Sequence, residues 1–227
     1  MLCEIPAKSK ETKMIRILDL EDEDQIYSIS GLIEFEIFYD RLTHLIAFYN
    51  YSVGCYYDFL DQKNQERKKI KDNIQEILKS ADDQDIYVTE DDIFFTFDEE
   101  IMGVKLNYQE YQKMTLIIIL FSEVEKLVDN LYEMNKSTGN IRGINIKLEH
   151  LCKEKGLDVE ETNEILDSFN KLRLIRNKLV HRYDYWDDEL VIGGHSYRGV
   201  NHLNDEILEC FVNSITNSIK KVEECFR

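Results

Sequence analysis

The sequence predicts an all-α protein, an antiparallel four-helix bundle with one small β-hairpin inserted, and three observations lead there. One proline and nine glycines in 227 residues are too few breakers for a many-stranded sandwich with its frequent turns. Hydrophobic residues make up 43% of the chain, enough for a sizeable core in a single domain spanning 1–227. Apolar residues recur at steps of three and four over most of that length, which is the period of amphipathic helices.

Residues 1–21 mix Lys8, Lys10 and Lys13 with a short apolar patch, Met14 to Leu20. They suit an extended arm or a docking strand and carry no functional assignment. From Glu21 the acidic opening EDED suits a helix N-terminus, and Ile26, Ile29, Ile33, Ile37, Leu42, Leu45, Tyr49 and Val53 continue at helical spacing. A long first helix is expected there, with a bend at Gly31. Beyond Leu60 the stripe narrows to Ile70, Ile74, Ile77 and Leu78 on a highly charged helix, which reads as a solvated face. Over 81–98 the runs IYVTE and IFFTF flank an acidic pair, and their β-branched and aromatic residues predict a small hairpin inserted between helices.

From about Asn107 to Met134 a strong helix returns, with Met114, Ile117, Phe121, Val124, Leu127, Val128 and Leu131 facing inwards; it is expected to be the central core helix. NKSTGNIRG breaks it. Asn145 to Lys155 forms a short helix that Gly156 stops, and Asp158 caps the next. Along that next helix Ile165, Phe169, Leu172, Ile175 and Leu179 make one buried face, ending near Tyr183 to Asp188. A glycine-containing loop, LVIGGHSYRG, follows. Asn204 to Phe226 closes the chain through Ile207, Leu208, Phe211, Ile215, Ile219 and Val222.

A formal charge of -17 excludes a surface that binds nucleic acid all over, so any such binding is local. The cysteines Cys3, Cys55, Cys152, Cys210 and Cys225 form no CxxC pair and follow no secretory leader, from which reduced thiols in a cytoplasm are expected. The longest apolar run, Leu116 to Phe121, is far short of a membrane span, so a soluble protein is expected. His195, His202 and Cys210 fit no zinc spacing. No metal and no cofactor are expected.

The functional signal lies in ILDSFNKLRLIRNKLVHRY, residues 165–183. Between Ser168 and Tyr183 there is no acid, while Lys171, Arg173, Arg176, Lys178 and Arg182 supply five positive charges. Arg173, Arg176 and Asn177 stand at i, i+3 and i+4, and Asn177 and His181 are again four apart, so they make one polar ridge. Arg176 offers a permanently charged fork for a phosphate. His181 can move a proton near neutral pH. Asn177 can orient the imidazole or touch a ribose hydroxyl, and Arg173, Lys178 and Arg182 add substrate-binding charge. Such a set can assist phosphodiester cleavage without a metal. The competing structural reading is that Arg and His merely neutralise the helix's terminal carbonyls, and that Tyr183, Tyr185 and Trp186 pack with a wet polar tip.

At Arg176-Asn177-Lys178-Leu179-Val180-His181 the chain resembles the HEPN superfamily (higher eukaryotes and prokaryotes nucleotide-binding domains), whose signature is an Arg, four to six residues, then a His. Tyr183, two places beyond the His, matches HEPN toxins encoded beside a nucleotidyltransferase antitoxin, in which that Tyr is adenylylated. The late position of the motif, near the end of the third main helix of a four-helix bundle, and the core helix FSEVEKLVDNLY also fit. The resemblance implies a HEPN-like bundle, a metal-independent endoribonuclease acting on RNA, possible toxin or defence roles, a 2',3'-cyclic phosphate product, a homodimer, and a nucleotidyltransferase antitoxin or other protein as partner. The alternative it leaves open is a non-catalytic HEPN module that binds a nucleotide or a protein; a purely structural helical adaptor is a third class.

Overall fold

The computed structural model describes residues 27–135, 141–181, 190–192, 195–199 and 203–227. Among them are six α-helices: α1 (Ile33–Asp82), α2 (Glu90–Leu106), α3 (Lys113–Met134), α4 (Ile144–Glu154), α5 (Val159–His181) and α6 (Asp205–Glu224), with a π-helical turn, Asn107–Gln112, joining α2 to α3. Two three-residue strands, β1 (Leu190–Ile192) and β2 (His195–Tyr197), pair antiparallel with Val191 opposite Ser196. They lie where the sequence suggested only a loop. The described residues group into two compact units, 50–112 and 27–49 with 113–227.

The expected hairpin over 81–98 is not formed. The acidic pair expected to turn it, Asp91-Asp92, lies in the first turn of α2, and residues 81–86 end α1: Ile86 N–H donates to the Ala81 carbonyl at 2.9 Å and Asp85 N–H to the Asp82 carbonyl at 3.0 Å, with Asp85 at a φ of 55°. This is a left-handed helix stop of the kind Asp and Asn tolerate. Thr89 then caps α2. Its hydroxyl accepts from Asp92 N–H at 3.2 Å while the Asp92 carboxylate accepts from Thr89 N–H at 2.9 Å, a reciprocal capping box. IFFTF is therefore helical, and Phe94 and Phe97 lie beneath the cations of Arg67 and Lys63, at 5.0 and 5.2 Å from the ring centres. Arg67 pairs with Asp98 and Lys63 with Glu100, while Tyr56 stacks on Tyr108 with ring centres 4.1 Å apart. Partners move back along α2 as numbers rise along α1, so the unit is an antiparallel helical hairpin.

In the second unit α1 begins at Ile33, after Gly31 at a φ of 71°, so this glycine precedes the helix instead of bending it. The start of the expected stripe is turned out: Ile33 is 58% and Ile37 45% exposed, and Phe35, Phe38 and Tyr39 enter the core in their place, while Leu42, Leu45, Tyr49 and Val53 are buried as expected. Aromatic bulk wins this competition because it removes more apolar area per residue. Of the inward faces expected on α3 and α6, Met114 and Ile207 are only half-buried and the other residues are buried. α3 buries Leu116, Ile117, Leu120, Phe121, Val124, Leu127, Val128 and Leu131. Gly156 closes α4 at a φ of 80°, with Leu157 N–H donating to the Cys152 carbonyl at 3.0 Å. Asp158 caps α5 by accepting from Glu161 N–H at 2.7 Å.

This unit is a helical bundle in which α3, α4, α5 and α6 pack in turn. A buried carboxylate ties its ends together. Glu223 of α6 is fully buried. Its Oε1 accepts from the Ser28 hydroxyl at 2.6 Å, Ile29 N–H at 2.8 Å, Ser30 N–H at 2.9 Å and the Ser30 hydroxyl at 2.8 Å, and its Oε2 from the Tyr39 hydroxyl at 2.8 Å. Burial alone would raise the Glu223 carboxyl; the hydrogen bonds from Ser28, Ser30 and Tyr39 outweigh it and hold the group below the usual carboxylate range. Among the described residues no helix is long and apolar enough to cross a membrane.

Candidate functional site

The last three turns of α5 carry the candidate site, and the buried face of the helix sets which way they point. Ile165, Phe169, Leu172, Ile175 and Leu179 are all buried, as their spacing predicted. With that face fixed, Arg173, Arg176, Asn177 and Lys178 are left half-buried along its flanks, and His181, the last residue of the helix, is exposed. Acids in the first turn, Glu160 and Glu161, and Lys178 and His181 in the last complement the helix dipole.

Arg176 is held on two sides. Its Nη1 donates to Asn177 Oδ1 at 3.1 Å, and its guanidinium carbon lies 5.5 Å from the ring centre of Phe121 on α3, within range of a cation–π attraction. One turn earlier, Arg173 Nη2 donates to Asn170 Oδ1 at 2.9 Å, and Asn145 Nδ2 from α4 donates to the same oxygen at 3.2 Å. An arginine is only a donor, so Asn170 must present its oxygen and Asn145 its nitrogen; Asn145 Oδ1 and Arg173 Nε are then buried without a hydrogen-bond partner among the described residues. Lysines beside the site behave differently. Lys171 pairs with Asp167, and Lys221 with Glu164. In a chain with 45 acids, two adjacent half-buried arginines that meet amide oxygens and, among the described residues, no carboxylate keep their charge available to a ligand anion.

Among the described residues Asn177 and His181 make no hydrogen bond with each other; the Asn177 oxygen accepts from Arg176 instead. Arg182 and Tyr183 lie outside the described residues. Among those described, no group of three or more His, Cys, Asp or Glu could hold a metal ion. Comparison of the chain with family models, with curated proteins and with solved structures found no match. The site therefore rests on its own geometry.

Three of its residues were not singled out from the sequence. Phe121 was read only as core, although an aromatic face is a natural seat for a guanidinium. Asn170 stands three residues before Arg173, a helical neighbour that spacing alone could have suggested. Asn145 arrives from another helix, and no local pattern signals that.

Proposed function

We propose that the chain is a metal-independent endoribonuclease of HEPN type. Arg176, with Arg173 beside it, holds the scissile phosphate. His181 takes the proton of the ribose 2'-OH as that oxygen bonds to phosphorus, and a proton is returned to the departing 5' oxygen as its bond breaks. The products are a 2',3'-cyclic phosphate and a 5'-hydroxyl. The observation that carries this reading is the pair of arginines that, among the described residues, meet no carboxylate, on the helix that also ends in His181. The Arg-Asn-x-x-x-His resemblance supplies the reaction, and a toxin or defence role comes from the same source. Product-end analysis on a short RNA tests it: cyclic phosphate ends from the wild type and none from His181→Ala are expected, whereas 3'-hydroxyl ends would exclude 2'-OH attack.

A homodimer belongs to the same proposal. α5 stays helical through His181, so Arg176 and His181 of one chain stand about 140° apart around its axis. A two-fold pairing of this helix end would set Arg176 of each protomer towards His181 of the other. A nucleotidyltransferase antitoxin is proposed as partner through adenylylation of Tyr183; intact mass after co-production with such an enzyme tests it, and an unmodified chain would remove the toxin-pair reading.

A second reading is favoured because no hydrogen bond among the described residues orients His181: a non-catalytic HEPN module that binds a nucleotide, or a protein, at Arg173 and Arg176. It predicts nucleotide or protein binding lost in Arg176→Ala and unchanged in His181→Ala, with no RNA cleavage by either.

A further inference from the structure

Helix α2 buries no residue. Its inner side supplies Phe94 and Phe97, which lie under Arg67 and Lys63 of α1. Its outer side carries a second apolar row: Phe95 is 62%, Met102 67% and Leu106 47% exposed. Their spacing of i, i+7 and i+11 puts them on one line along the helix, about 16 Å long. Acids border that line on both sides, Asp91 and Asp98 on one and Asp92 and Glu99 on the other, by their helical positions. Asp98 is engaged by Arg67, and Asp92 by the Thr89 cap. Asp91 and Glu99 are exposed and make no ion pair among the described residues. From Asp82 to Glu100 the sequence holds nine acids and no Lys or Arg.

Isolated exposed apolar side chains are ordinary, but an ordered row between charged borders marks a contact surface. The charge decides what covers it. A second copy pairing through the same row would bring acidic borders together, and RNA or an anionic membrane meets the same repulsion. A basic amphipathic helix meets none of it: apolar residues at matching intervals cover Phe95, Met102 and Leu106, and flanking Lys and Arg answer Asp91 and Glu99. The Met thioether and the Phe ring adapt to varied apolar anchors. We infer that the outer face of α2 is a docking site for a basic amphipathic helix of a partner protein, with Phe95 and Met102 as anchors and Asp91 and Glu99 as the charges that select its sign. This inference does not rest on the reading of α5 and stands whether or not the chain cleaves RNA.

The test uses the full chain and a labelled 18-residue Leu/Lys peptide with its leucines on one helical face. Two controls accompany it: the same composition scrambled to remove that face, and a Leu/Glu peptide of the original pattern. Fluorescence anisotropy at near-physiological salt should show binding of the amphipathic Leu/Lys peptide alone. Phe95→Ala with Met102→Ala should weaken it at least about tenfold, and Asp91→Lys with Glu99→Lys, which leaves packing untouched, should do the same. Circular dichroism checks that both variants keep their helix content. Equal binding of the scrambled peptide, equal binding by either double variant, or no binding at all would overturn the inference. So would a self-associated chain that the Phe95/Met102 pair of substitutions converts to monomer on sedimentation, since the row would then be an interface between copies.

Discussion

Arg176 donates to the side-chain oxygen of its neighbour Asn177 at 3.1 Å, so a guanidinium meets a neutral amide in a chain rich in carboxylates. Asn177→Asp places a carboxylate of the same shape on that bond and neutralises Arg176 without removing it. RNA cleavage should fall on the order of 100-fold in Asn177→Asp, comparable to losing a key anion-stabilising donor, and by no more than about tenfold in Asn177→Ala. Rates on a single RNA substrate check this; equal losses in the two variants would mean that Arg176 does not act through its charge.

Glu223 accepts five hydrogen bonds from Ser28, Ile29, Ser30 and Tyr39. Glu223→Ala orphans these donors and should cost about 3 kcal/mol or more of stability. Because the folded carboxyl sits below its ordinary value, its contribution is full above the unfolded pKa of about 4.3 and is lost as the pH falls through the lower folded value. Melting temperature against pH should therefore drop steeply on acidification in the wild type and less so in Glu223→Ala. Parallel curves would show that folding does not lower the Glu223 carboxyl's pKa.

Thr89 decides the local structure of the stretch that resembled a hairpin. Thr89→Ala removes the hydroxyl that accepts from Asp92 N–H and should destabilise α2 by about 1 kcal/mol. Hydrogen exchange over residues 90–100 should speed up accordingly. Unchanged exchange there would argue that the cap contributes nothing to α2.

What was legible in the sequence followed from how many signals agreed at each place. On α5 the period, the Asp158 cap and the closing glycine of α4 agreed, and every face residue proved buried. On α1 two stripes compete, Ile33 with Ile37 and Phe35 with Phe38 and Tyr39, and periodicity cannot rank them because both fit a helix. At IFFTF aromatic and β-branched content pointed to a strand, and the capping box Thr89-x-x-Asp92, which that reading did not use, starts a helix there. Within the site, Arg176 and His181 were visible as a motif, whereas the Phe121 ring and the Asn145 amide come from α3 and α4 and only tertiary packing sets them beside α5.

Mixing Arg176→Ala chains with His181→Ala chains tests whether the site spans two protomers. Each parent should be inactive, and subunit exchange should restore part of the cleavage, because a heterodimer keeps one arginine and one histidine across its two-fold axis. Heterodimers that form and stay inactive would count against a shared site.

The central claim is that Arg176 and His181 cleave RNA, and one measurement meets it most directly: cleavage of mixed RNA by the purified chain in excess chelator, beside His181→Ala purified identically. Cleavage by the wild type that persists in chelator and falls at least about 1,000-fold in His181→Ala is the predicted result, since the histidine serves in proton transfer. Equal cleavage by both proteins, or wild-type cleavage that vanishes in chelator and returns with magnesium, would contradict it.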